Sequence, residues 1–277
     1  MEMIRQFSAI VLDTLREARA RKVFLAMTMS GTLSALLMLW YVQTIASRAP
    51  SSRLTAMARI DPRYLDNSFA SHMVYAQASS MLLWVQMLFA VTMTLGMLAP
   101  LLDAKRNVIP ASAPVPRSFI LLGRYAGALS TAAAGVAVAF GELWILISLK
   151  FGVWHPRFLL GAAVTVLAVA AAVALLSLLQ VAVKSQATAF VGLVAFSLLS
   201  LGAQYPDRLR EMTGSEWLAR SAAALGSILP RYPDMAEWTR VFVGSGDMSH
   251  WPVLCASAIS AVFCLSAACL VFSRKEF

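Results

Sequence analysis

One carboxylate stands well inside a long apolar run of this sequence. Glu142 follows Ala139-Phe140-Gly141 and precedes Leu143-Trp144-Ile145-Leu146. A carboxylate in such a setting is costly, and it marks either a polar contact between helices or a route for a polar species. A helix that ends earlier would instead make Glu142 an interfacial residue, and both readings stay open. Gln86, near the middle of another apolar run, is a less costly group able to bond across helices, and with Glu142 it is a candidate for a transport path. The other reactive residue types do not cluster. His72, His155 and His250 fall near the ends of apolar runs and read as interfacial residues. Cys255, Cys264 and Cys269 all lie in the last run, without a CxxC pair, so neither a disulfide framework nor a metal site follows. The 14 methionines scatter without a paired motif, so packing explains them better than soft-metal handling.

Motifs that would make the chain a catalyst are missing from the sequence. It has no GxxxxGK[ST] phosphate loop, no HExxH and no GxSxG. An intrinsic catalytic site is therefore not expected, no cofactor is expected in this chain, and any work must draw energy from a partner. Two patterns suggest how. A basic turn, Asp103 to Phe119, carries Lys105, Arg106, Pro110, Pro114, Pro116 and Arg117 between two apolar runs. Proline fixes φ, so the turn is a stiff link between helices. A row of small residues then follows at four-residue spacing: Gly123, Gly127, Thr131, Gly135 and Ala139. In lipid, such a row lets helix backbones approach closely. It serves either a contact that shifts during work or static packing.

These residues need elements to hold them, and composition says which. Of the 277 residues, 59% are hydrophobic and 13% charged, against about 25% charged in soluble domains. Mean hydropathy is +0.71. The apolar runs are long enough to cross ~30 Å of hydrocarbon and lack the alternation of a β-barrel strand. The expected fold is all-α: a polytopic membrane protein with six transmembrane helices and an N-terminal amphipathic interfacial helix. The six spans are expected at 23–46, 76–102, 121–149, 158–183, 187–204 and 251–273. The first is too long for a cleavable signal and reads as a retained span. The formal net charge of +9 comes without a basic stripe interleaved with aromatics. It points to anionic membrane lipid as a partner and not to nucleic acid.

Residues 1–22 are expected to form the cytoplasmic interfacial helix, with Ile4, Phe7, Val11, Leu15 and Ala18 on one face. Glu17 and Arg21 make an i,i+4 pair. Residues 23–277 form the membrane domain. Basic residues are denser in the segments that lie inside when the N-terminus is inside, which favours both termini in the cytoplasm. The 205–250 segment then lies outside. Ser215 would open one short helix there, and Asp234-x-x-Glu237 a second that stops near Gly244. Both are expected to rest at headgroup level.

Three pieces of the chain resemble permease subunits of type-2 ABC transporters, including the subfamily labelled for multicopper-enzyme maturation and gliding motility. One is the basic lead into the first span, Thr14 to Lys22. Another is the pattern Pro114-Val115-Pro116-Arg117-Ser118-Phe119 with Leu122-Gly123-Arg124-Tyr125 and Gly127. The third is the short basic tail Phe272 to Phe277. The resemblance implies a non-catalytic exporter subunit of the bacterial cytoplasmic (inner) membrane. Two ATP-binding subunits would supply ATP and Mg, and a second permease copy would complete a dimer. The 103–120 loop would couple hydrolysis to the spans, with Arg16, Glu17, Arg21, Pro110, Pro114, Arg117, Gly123 and Arg124 as coupling residues. Gly127, Thr131 and Gly135 would pack the helices. A close variant moves no solute and passes motion to a periplasmic protein. A third possibility is a scaffold or secondary transporter that needs no ATPase.

Overall fold

The apolar runs form long helices because nothing inside them competes for the backbone: they carry no proline beyond a first or last turn, and in lipid a helix satisfies its own N–H and C=O groups. The computed structural model describes residues 2–48, 67–98, 116–183, 185–203, 210–211, 213–217, 220–221 and 229–274. In chain order the helices are α1 (Glu2–Ala20), α2 (Val23–Arg48), α3 (Asn67–Leu98) and α4 (Arg117–Phe151). They continue with α5 (Arg157–Val183), α6 (Gln186–Ala203), α7 (Tyr232–Ser245) and α8 (Pro252–Arg274). No strand occurs among the described residues. Of these helices, α2, α3, α4, α5 and α8 are long and apolar enough to cross a membrane, while α6 is a shorter apolar helix.

Local chemistry sets the boundaries. α1 ends where Lys22 takes a left-handed conformation, φ 56°, an unusual state for a side-chain-bearing residue. The Lys22 carbonyl then accepts from Ala26 N–H and starts α2. α4 begins directly after Pro116 and closes at Gly152, φ 71°, whose N–H caps Ser148 O. α3 starts at Asn67, well before the expected position 76. Its first turns look polar in sequence, yet Ser71 and Tyr75 are fully buried. The Tyr75 hydroxyl sits 2.7 Å from Ser148 Oγ and donates to Val153 O at 3.2 Å. Satisfied polar groups can extend a buried helix that apolar counting cuts short.

The core lies where α3, α4 and α5 meet, around Leu83, Val136, Phe140, Phe158 and Ala172. At about 1.5 Å per residue the 35 residues of α4 reach roughly 52 Å, against ~30 Å of hydrocarbon. Its arginine-bearing end is also the end that α1 packs against.

α7 corrects the expectation for the 205–250 segment. It begins at Tyr232, not at an Asp234 cap, because Pro233 suits the first turn of a helix and Arg231 occupies the cap position. Glu237 pairs with Arg240 instead of closing a capping box. The helix stops at Gly246, φ 80°. Far from lying bare, α7 buries Tyr232, Met235, Thr239 and Val243 within the bundle. It runs antiparallel to α3: a Cβ on Gly244 would lie 3.3 Å from Ala76 Cβ, and Thr239 and Ser79 both crowd Gly161. The start of α7 follows Pro230 and Arg231. Ser200 Oγ of α6 holds this start by donating to Pro230 O at 2.9 Å. Most of the first expected helix of the segment lies outside the described residues.

Candidate functional site

The small-residue row on α4 is the seat of the N-terminal region. A Cβ on Gly123 would lie 2.6 Å from Ile10 Cγ2, and one on Gly127 would lie 2.6 Å from Thr14 Cβ. Further along, Gly135 faces Met27, and Ala139 faces Gly31. One row therefore receives α1 first and α2 next, and the break at Arg21–Lys22 lets the chain continue along it. Thr131, between the two seats, is buried and bonds back to Gly127 O. Phe7 meets Phe119 edge-on, with centroids 6.2 Å apart. Of the expected face of α1, Phe7, Val11 and Leu15 are half-buried and Ala18 buried, and the stripe extends to Ile10 and Thr14. Ile4 is 75% exposed, whereas Thr14 is fully buried. The reason is shape: glycines leave holes, and branched side chains fill them.

Charge fixes the same joint. Glu17 accepts from Arg21 at 2.6 Å and from Arg124 at 3.0 Å. Arg124 also donates to Met97 O at 3.1 Å, and Arg21 to Gly96 O at 3.0 Å. Both carbonyls belong to the last turn of α3, where helix carbonyls lack intrahelical partners and cations are favoured. One carboxylate and two guanidinium groups thus tie α1 to the end of α3 and the beginning of α4. Those two helices flank the 103–120 loop. Arg124 and Glu17 are largely shielded, with side chains 15% and 21% exposed.

The structure brings together Glu17, Arg21, Gly123 and Arg124 of the expected coupling residues. Arg16 stays exposed on α1, away from α4. Arg117 stands half-buried at the first turn of α4. Pro110 and Pro114 lie outside the described residues. Sequence reasoning missed the backbone acceptors Gly96 and Met97, which no side-chain pattern announces. Thr14 was readable as a β-branched residue four past Ile10, the spacing of the glycines opposite.

Glu142 and Gln86 are not brought together with one another by any contact. Glu142 accepts from Thr32 Oγ1 of α2 at 2.7 Å on a partly open face. Gln86 is fully buried, and neither carboxamide atom has a hydrogen-bond partner among the described residues. At the opposite end of α3 from the junction, two histidines meet that are far apart in sequence. The His72 and His155 rings lie 4.1 Å apart, with His155 Nε2 2.9 Å from Val243 O in the last turns of α7. Arg157 lies against Gly246 there. No group of three or more His, Cys, Asp or Glu able to hold a metal ion occurs among the described residues.

Fold and junction together define a multi-pass helical membrane protein whose N-terminal helix is locked onto its bundle. Comparison with protein-family models, characterised proteins and solved structures finds no match.

Proposed function

We propose that the chain is the membrane subunit of an ABC exporter, moved by a separate ATP-binding subunit through the 103–120 loop and α1. The observation that supports this reading is the Glu17–Arg21–Arg124 junction. It joins α1 to the two helices on either side of the loop, so force applied to the loop or to α1 enters the bundle at one braced point. A switch of this kind works because nucleotide binds two conformations of the partner unequally. In this reading α6 is a sixth span, both termini are cytoplasmic and α7 enters from the outer side. Two copies of the chain pair above two ATP-binding subunits that carry ATP and Mg. The exposed Arg5, Arg16 and Arg19 of α1 face the partner or the headgroups of the inner leaflet.

The test is whether an ATP-binding subunit is encoded beside the gene and co-purifies with the chain. Arg117→Glu should weaken that association or uncouple hydrolysis from transport while membrane insertion is unchanged. Unchanged binding and unchanged coupling would remove the reading.

A further inference from the structure

Glu142 sits near the middle of the membrane's thickness, on a face of the bundle that is open. α2 and α4 run parallel there, since Gly135 faces Met27 and Ala139 faces Gly31. Lys22 precedes α2, and Thr32, the partner of Glu142, follows it by roughly 15 Å of helix rise, half of the ~30 Å hydrocarbon layer. Along α4, Lys150 lies roughly 12 Å beyond Glu142 toward the other surface. Neither Lys nor Arg occurs between Val23 and Ser47 or between Tyr125 and Leu149. Thr32 is exposed and Glu142 only half-buried. Beside them, a Cβ on Gly141 would meet nothing within 4 Å. Leu36 and Ile145 share these faces by their three- and four-residue spacing, and they are 55% and 46% exposed. The two helices thus border a shallow apolar groove with one carboxylate in it.

That carboxylate is under-compensated. Among the described residues its one partner is Thr32 Oγ1 at 2.7 Å, and the single proton of that hydroxyl is also drawn by Thr28 O at 3.2 Å. An acid at this depth is costly and as a rule pairs with a cation or lines a path for one. A second copy of the chain cannot supply the cation. In the five long apolar helices Lys and Arg stand at the ends, Arg124 excepted, and Arg124 is held by Glu17. Two copies meeting symmetrically on this face would set two carboxylates against each other, which is repulsive. The charge therefore calls for a cation from outside the chain, and the open apolar groove calls for one with an apolar body.

We propose that Glu142 and Thr32 bind the ammonium group of a hydrophobic organic cation that enters the α2–α4 groove from the lipid. The ammonium donates to the carboxylate, Thr32 Oγ1 offers a second oxygen, and the apolar body lies along Leu36 and Ile145. Gly141 leaves room for the head. The proposal deepens the exporter reading, and it rests on that reading only for naming the cation as cargo. Binding itself needs neither ATP nor a partner, so failure to bind and failure to find an ATP-binding subunit are separate results.

Photo-crosslinking tests it on the full chain in nanodiscs. The probe is a long-chain alkylamine bearing a diazirine next to its ammonium, with the alcohol of the same chain as the neutral counterpart. Peptide mapping should find the amine on residues 28–36 and 134–145, and the alcohol there no more strongly than on α8. Glu142→Gln keeps a hydrogen bond to Thr32 and should cut amine labelling about tenfold, the loss of one bond to a charged group. Glu142→Asp keeps the charge and should keep the preference for the amine. The ratio of amine to alcohol is read within one preparation, so it decides the matter even where a variant folds less well. A ratio unchanged by Glu142→Gln overturns the proposal, as does equal labelling of the wild type by both probes. So does a disulfide between two copies of an Ile145→Cys variant that the amine fails to slow, which would put a second copy on this face.

Discussion

The two ends of α3 are held by different chemistry. At the Leu98 end, charge does the holding: Arg21 and Arg124 grip the last carbonyls, and Glu17 balances both. At the Asn67 end, hydroxyl bonds and ring packing do it, through the Tyr75 hydroxyl and the His72–His155 ring contact under α7. Shielded charge-assisted bonds are strong and tolerate few alternative geometries. Hydroxyl bonds between neutral groups are individually weaker. One end is held by shielded charge, the other by weaker bonds. On the exporter reading proposed above, force would enter at the braced Leu98 end.

The largest effect should come from filling the seat of α1. Gly127→Leu puts a side chain where Thr14 already sits, and overpacking in a backbone-close contact should cost roughly 3 kcal/mol. Thermal unfolding in detergent measures it, and proteolysis near residue 20 should accelerate as α1 detaches. A Gly127→Leu variant as stable as wild type would break the claim that the Leu98 end is rigid. Next comes the charge cluster. Arg124→Met leaves Glu17 with one partner and the Met97 carbonyl bare, a loss of about 1–3 kcal/mol. A double-mutant cycle with Glu17→Gln should show the two losses coupled and not additive.

The Asn67 end should respond less. Tyr75→Phe removes bonds to Ser148 and Val153 but keeps the ring, so about 1 kcal/mol is expected. A larger loss than Arg124→Met would reverse the ranking of the two ends. Smallest of all is the exposed Glu237–Arg240 pair on α7. The Arg240 hydrogen bond holds the Glu237 carboxyl below its ordinary range. Its stabilisation is therefore present above about pH 4.5 and fades as pH falls through the depressed value. Being solvent-screened, it amounts to a few tenths of a kcal/mol at most. Unfolding of Glu237→Gln should match wild type near pH 3 and fall just below it near pH 7.

Helix positions were legible wherever the chain is apolar. The expected 158–183 and 251–273 lie within two residues of α5 and α8. Legibility failed where burial is polar. The opening turns of α3 and the whole of α7 carry Ser, His, Tyr, Thr and Asp, and only partners distant in sequence show that these face inward. The glycine row announced a close contact but not its occupant, because any branched residue fits a hole. Glu17–Arg21 was readable as an i,i+4 pair, whereas Arg124 lies 107 residues away and joins them only through folding. The loop with Pro110 and Pro114, expected to be a stiff link, lies outside the described residues.

Site-specific crosslinking measures most directly whether force enters at the braced end. A photoreactive amino acid is placed at Arg16, at Arg117 or, at the far end, at Trp251, in cells that also make the ATP-binding subunit proposed as partner. Adducts with that subunit are expected from positions 16 and 117 and not from 251. No adduct from 16 or 117, or one from 251, would contradict the account.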